Sequence, residues 1–184
     1  MTEAEAELGL CEPVVTVPDV WSKLHAQGVR GGAVTGGDAF AALHVAAVVF
    51  LANGLFEFAH NMRDAGGSVL AVIIPMIDID GRAHDFVACD TDFKRSARWR
   101  RTLPILGMDR VYGPRIDPLS VFRGPLQWLQ AGRDGIVICS YRFAAKILCD
   151  GEPLSVDDAA FGSELDAKLR VNPPRIFLRK KAAA

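Results

Sequence analysis

Two hydrophobic periods run along this chain, and the change from one to the other divides it. From Ser68 to Asp92 the residues read SVLAVIIPMIDIDGRAHDFVACDTD: an apolar run, an Asp80-Gly81 turn and a second run rich in β-formers. That order specifies a β-hairpin. Before it, Ala39 to Ala59 is 21 mostly apolar residues. Placed at 100° per residue, Phe40, Val48, Leu51, Leu55, Phe58 and Met62 share one face, and Asn53, Glu57, His60 and Asp64 gather on the other. This spacing predicts a long amphipathic core helix, N-capped near Asp38 and ended by Ala65-Gly66-Gly67. The segment has the length to cross a bilayer of roughly 30 Å, but His44, Asn53 and Glu57 interrupt it. Its longest apolar run, Val45 to Ala52, falls short of the ~18 residues that a span needs.

The remaining elements follow from caps and breakers. Val17 to Gln27 predicts a short helix, with Thr16 as N-cap, Pro18 in the first turn and Val20, Trp21 and Leu24 at helical spacing. Gly28 to Gly37 is a glycine-rich connection. Loop signals run from the basic stretch Lys94–Arg101 through Pro118, and a helix follows from Pro125 to Ala131, ended by Gly132. The last third alternates: strand Gly135–Cys139, helix Tyr141–Cys149, strand Leu154–Val156, helix Ala159–Leu169, strand Arg175–Leu178. Each crossover can hold a helix, so the strands are expected to be parallel. The expected fold is α/β, with N-terminal helices, a central β-hairpin and a C-terminal β-α-β-α-β region of parallel strands. Residues 1–15 read as an acidic extension and 16–178 as one domain, helical over 16–67, hairpin over 68–92 and β-α-β-α-β over 135–178. Residues 179–184 read as a basic tail.

Composition narrows the class. Half of the 184 residues are apolar and 23% are charged, which excludes disorder as the global state. With 21 Lys plus Arg against 22 Asp plus Glu, no whole-molecule field attracts nucleic acid or membrane, so any such affinity must be local. Cys11, Cys89, Cys139 and Cys149 form no Cys-x-x-Cys pair and read as free thiols of a reducing compartment. The start MTEAEAELGLCEP lacks the basic and apolar regions of a signal peptide, so a cytoplasmic location and no membrane partner are expected.

Candidate chemistry is sparse. Gly31 to Gly37 resembles a phosphate-cradling loop only in its glycines: it lacks Gly-Lys-Ser/Thr and Gly-x-Gly-x-x-Gly, and no strand precedes it. Glu57 and His60 have the Glu-x-x-His spacing of a di-iron helix, but the chain has no second such motif. His44 reads as a satisfied core or interface histidine. Ser140 follows a strand, yet Gly-x-Ser-x-Gly is absent and no histidine comes after it. Asp78, Asp80, Asp85, Asp90 and Asp92 are the densest acid set. Asp78-Ile79-Asp80 opens like an EF-hand loop, but Arg82 and Cys89 stand where ligands are needed. Hairpin pairing separates the two Asp-x-Asp pairs, and turn chemistry accounts for most of these residues, leaving Asp90 and Asp92 as the alternative metal pair. No cofactor is expected. Lys94, Arg95, Arg98, Arg100 and Arg101 place five cations in eight residues around Trp99, a pattern suited to phosphate contact and base stacking on single strands. The competing reading pairs these cations with the acidic segments Glu3–Glu12 or Asp157–Asp166.

A β-α-β-α-β unit resembles the Toprim family of primases and topoisomerases, in which a Glu after the first strand and an Asp-x-Asp after a later one hold Mg²⁺. With strands ending at Ser140-Tyr141, Asp157-Asp158 and Arg179-Lys180 the motif is not reproduced, which implies a degenerate, non-catalytic relative. Residues 69–180, through IIPMIDIDGRAHDFVACD, PLQWLQAGRDGIVIC and PPRIFL, also resemble uncharacterised proteins of alphaproteobacterial prophages and mobile elements, which implies a genomic setting rather than an activity. The expectation is a non-enzymatic accessory or adaptor that contacts single-stranded nucleic acid or a protein partner. The alternative is a divalent-metal-dependent phosphoryl-transfer or nuclease-like enzyme using the hairpin aspartates.

Overall fold

A period of two, not 3.6, governs the stretch from His44 to Asp90. The computed structural model describes residues 1–36, 41–63, 66–112, 117–148 and 153–170. Its larger sheet comprises β1 (Glu12–Pro13), β2 (His44–Phe50), β3 (Phe56–Phe58), β4 (Val69–Ile77), β5 (Ala83–Asp90) and β6 (Ser96–Arg98). The order is β1-β2-β4-β5-β6, all antiparallel, with β3 paired to β2. The β4–β5 hairpin forms as its sequence requires. It pairs Ala71 with Asp90 through to Ile77 with Ala83, and Gly81 takes the left-handed φ of 78° in its turn. From Ala71 to Met76 both faces of β4 are covered, Val72, Ile74 and Met76 entering one core and Ala71 and Ile73 another, whereas Val69 and Leu70 are exposed.

The long helix predicted from residue 38 to 67 is not formed; β2, a tight turn and β3 take its place. The apolar positions fit either period, and two features decide for strand. Val45, Val48, Val49 and Phe50 are β-branched or aromatic, and Asn53-Gly54 is a hairpin dipeptide. Gly54 sits at φ 76°, the Asn53 side chain accepts from the Leu55 N–H at 3.0 Å, and the Leu51 N–H reaches the Leu55 carbonyl at 2.8 Å. Leu51 and Leu55 therefore flank a turn, while Val48, Phe56 and Phe58 are fully buried. Asp38, expected as the N-cap, lies outside the described residues.

The N-terminal helices that do form are short. α1 (Glu3–Leu8) occupies the segment read as an extension and is closed by a capping box between Thr2 and Glu5. α2 (Pro18–Ala26) begins with Pro18, but Thr16 does not cap it: its hydroxyl donates to the Pro13 carbonyl at 2.7 Å. α3 (Gly31–Thr35) lies in the glycine-rich connection.

The smaller sheet uses β7 (Ile105–Leu106), α4 (Met108–Tyr112), β8 (Leu119–Phe122), α5 (Pro125–Gln130), β9 (Ile136–Ile138), α6 (Tyr141–Leu148), β10 (Leu154–Ser155) and α7 (Ala159–Leu169). Its order is β10-β8-β9-β7, with β8 parallel to both neighbours and β7 antiparallel to β9. The parallel β-α-β-α-β unit thus starts one strand earlier than expected, at β8. The short strands β7 and β8 escape notice among Pro104, Pro114 and Pro118, and the expected strand at 175–178 lies outside the described residues. α5 covers one face of this sheet and α6 with α7 the other. The main core lies between the sheets, where Val72, Ile74 and Met76 meet Leu106, Leu129 and Val137. Among the described residues, no helix is long and apolar enough to cross a membrane. If this hairpin reading of 44–58 is right, Phe58→Ala should cost about 3–5 kcal/mol, and Leu55→Ala nearer the roughly 0.5 kcal/mol of a surface change. Denaturant unfolding measures both, and equal losses would contradict the turn placement.

Candidate functional site

The basic stretch is where sequence reading placed function, and the structure separates its members. Lys94, Arg95, Arg100 and Arg101 are exposed; Arg98 and Trp99 are buried, Trp99 being 2% exposed. β6 carries Arg98 back across β5, where its guanidinium meets the fully buried Asp85 at 2.9 Å and donates to the Leu103 carbonyl. The chain then curls around the same carboxylate. Arg101 adopts a left-handed φ of 60°, and the flanking N–H groups of Arg100 and Thr102 donate to Asp85 at 2.9 and 2.8 Å. With the Phe86 N–H at 2.9 Å, four donors converge on Asp85. Its sequence signal was slight: a lone acid between β-formers at a strand position facing the core.

Trp99 packs against Phe86 and Phe58, with ring centroids 5.2 and 6.1 Å apart, and so presents no face to a base. Three of the four exposed cations are engaged locally. Arg95 lies over the Phe50 ring at 4.6 Å and donates to the Phe50 carbonyl, and Arg101 donates to the Asn53 carbonyl. Arg100 lies 4.5 Å from the Trp99 ring centroid and binds Glu3 at 2.7 Å. The alternative reading, in which the basic stretch pairs with the acidic Glu3–Glu12 segment, is what this contact realises.

That contact belongs to a larger clasp. α1 lays Ala4 and Leu8 onto the face bearing Phe58, Phe86 and Trp99. Arg82 binds Glu5 at 3.2 Å, and Glu7 accepts from Asn61 at 3.1 Å and pairs with His60 at 2.9 Å. The Glu5 carboxyl is held below its ordinary value, first by the Arg82 guanidinium and then by the Thr2 N–H. Glu57 lies in β3 and His60 in the following 3-10 turn, so they share no helix face.

The aspartates do not converge. Asp90 accepts from the N–H groups of Lys94 and Arg95 at 2.8 and 3.2 Å, and Asp92 lies 3.7 Å from Lys23. Asp78 caps the hairpin turn through the N–H groups of Asp80 and Arg82, and pairs with His84 at 2.8 Å. Among the described residues, no group of three or more His, Cys, Asp or Glu is placed to hold a metal ion. His44 is buried, which lowers its pKa, and its Nδ1 meets the Ala42 carbonyl at 2.9 Å. Burial pushes the thiols of Cys11 and Cys139 up to about 12 and about 11, so neither is a thiolate near neutrality. Gly36, at φ 68°, permits a close approach to the Ala41 carbonyl.

The smaller sheet supplies a second location. β9 and β10 flank β8 on opposite sides, and the two crossovers run over opposite faces, so the carboxyl ends of β8 and β10 form a switch point of the kind where α/β sheets bind ligands. Arg123, Gln127, Asp157, Asp158 and Phe161 line a cavity of ≈ 30 Å³ there. Arg123 fills its mouth: it binds Asp158 at 2.7 Å and Glu164 at 3.2 Å and lies over the Phe161 ring at 4.4 Å. A wider cleft of ≈ 270 Å³ lies between the sheets, beside Gly32, Gly107, Trp128 and Arg133; Arg133 donates to the Ala33 and Ala41 carbonyls at 2.7 and 2.6 Å.

No family model matches the chain, and no curated protein matches it.

The clasp is acid-sensitive by linkage. Because the Glu5 pKa is lower folded than unfolded, its contribution is complete above the ordinary Glu value and is lost as pH falls through the folded value. Thermal stability should therefore drop on acidification less steeply in Glu5→Gln than in the wild type. Parallel Tm–pH curves would contradict the clasp.

Proposed function

We propose that the protein is a non-enzymatic accessory module, an adaptor that works through its surfaces. The observation carrying this reading is the ion-pair cluster at the switch point of the smaller sheet. There Arg123 closes on Asp158 and Glu164, and Lys168 adds a second cation to Glu164 at 2.6 Å. Arg123 first, and then the Ala160 N–H, hold the Asp158 carboxyl below its ordinary value; Lys168 does the same for Glu164. General acid–base work needs a pKa near the operating pH, and these shifts run the other way.

The Toprim resemblance can also be read in a register that starts at β8. With β8 as first strand, Arg123 stands where that family carries its Glu, and Asp157-Asp158 follows β10 where the family carries Asp-x-Asp. A guanidinium at the acid position supports a degenerate, non-catalytic relative: the cation is part of the chain. The resemblance to mobile-element proteins supports a setting beside nucleic-acid enzymes. Direct nucleic-acid contact would be confined to phosphate attraction by Lys94, Arg95, Arg100 and Arg101, since Trp99 and Arg98 are buried.

Millimolar Mg²⁺ or Mn²⁺ should leave the Tm of the wild-type protein unchanged, whereas a ligand at 100 times its Kd would add about 2.7 kcal/mol. Arg123→Glu removes the internal cation and should create metal-dependent stabilisation. A metal-induced rise in the wild type that Asp158→Asn abolishes would overturn the proposal.

A further inference from the structure

One face of the larger sheet is aromatic, and its cover is slight. Phe56, Phe58, Phe86 and Trp99 lie there, and among the described residues the helical cover comes from Ala4 and Leu8 of α1. α1 has six residues. Helices shorter than about 12–15 residues are marginal in water, so α1 is helical only by virtue of its seat. Its ion pairs use partly exposed cations, the side chains of Arg82, Arg100 and His60 being 47%, 50% and 36% exposed, although the Glu5 carboxylate is itself buried and the Thr2 hydroxyl donates to the Ala83 carbonyl. The Arg100–Glu3 pair, exposed on both sides, holds weakly. Beneath the helix the Trp99 Nε1 donor is buried and finds no acceptor among the described residues, an uncompensated cost of the closed arrangement.

The seat has a definite chemistry. Two apolar anchors one helical turn apart, Ala4 and Leu8, meet the rings, while Glu3, Glu5 and Glu7 meet Arg100, Arg82 and His60 in turn. Spaced apolar anchors in a groove are how amphipathic helices are read, and the cationic rim selects for carboxylates flanking them. The net charge of −1 gives no general attraction for an acidic partner, so the selection is local to this rim.

We propose that α1 is an exchangeable strap, and that the groove it fills binds an acidic amphipathic helix of a partner protein. This rests on the adaptor reading and names the class of partner. α1 occupies the groove until a helix with the same pattern of acids and with larger apolar anchors displaces it.

The test uses the full chain and a fluorescein-labelled peptide of residues 1–10, MTEAEAELGL, followed by anisotropy. The double variant Glu5→Gln/Leu8→Ala loosens the strap and should bind the peptide roughly tenfold more tightly than the wild type, whose own α1 keeps the competent fraction low. A peptide with lysine at all three glutamate positions should not bind, and adding Arg82→Ala/Arg100→Ala to the loosened variant should abolish binding. Three results overturn the proposal: no binding by a loosened variant that retains its circular dichroism, equal binding by the wild type and the variant, or binding of oligothymidylate in place of the peptide. Should the loosened variant fail to fold, hydrogen exchange on the wild type decides. α1 amides should exchange at least about tenfold faster than those of β5, and faster still at moderate salt; equal protection overturns the strap. None of these outcomes alters the response to Mg²⁺, so a failure here removes the partner class and leaves the non-enzymatic reading to its own experiment.

Discussion

The Asp85 carboxylate is the constraint on which the arrangement of both sheets depends. A fully buried carboxylate is tolerated only when donors surround it, and this one has four: the N–H groups of Phe86, Arg100 and Thr102 and the guanidinium of Arg98. Meeting that demand fixes β6 against β5 and bends the chain at Arg101. It also delivers residues 102–104 to the start of β7: the Thr102 hydroxyl reaches the His84 carbonyl at 2.9 Å, and the Pro104 carbonyl accepts from Cys139 at 2.8 Å. One side chain of the larger sheet thereby sets where the smaller sheet begins. The core between the sheets, from Val72 to Val137, is packed on that registration.

The same interaction explains why the densest cationic stretch is not a simple binding patch. Arg98 is committed to the interior, and the curl that follows it turns Trp99 onto Phe86 and leaves Arg100 free to meet Glu3. Charge density along a sequence says nothing about which cations face outward. Here Arg100 alone of the outward ones borders the aromatic face and meets the acidic α1, while Arg95 and Arg101 bind the Phe50 and Asn53 carbonyls. At the far side of the molecule the acids at the ends of the parallel strands are likewise closed by Arg123 and Lys168. In both places fixed charge is answered within the chain.

What was legible in the sequence was whatever one local signal determined alone. The β4–β5 hairpin followed from Asp80-Gly81 between two apolar runs, and α5 from Pro125 and Gly132. Residues 44–58 mislead because eight consecutive apolar residues satisfy a helical wheel as readily as a strand, and the Asn53-Gly54 turn is the signal that decides between them. β7 and β8 were missed because strands of two and four residues carry too few positions to show a period. The sites were less legible still. Asp85 looked like one acid among five, and its role comes from donors 13 to 17 residues away, brought to it by a turn that no sequence motif announces.

The account stands most directly on the coupling between Asp85 and Arg98, measured by a double-mutant cycle in denaturant unfolding with Asp85→Asn, Arg98→Met and the pair. Each single change leaves a buried group without its partner and should cost about 3–5 kcal/mol. The double variant should cost less than their sum by roughly 1–3 kcal/mol. Additive losses, or single losses no larger than the roughly 0.5 kcal/mol of a surface substitution, would contradict the claim that this carboxylate sets the arrangement of the two sheets.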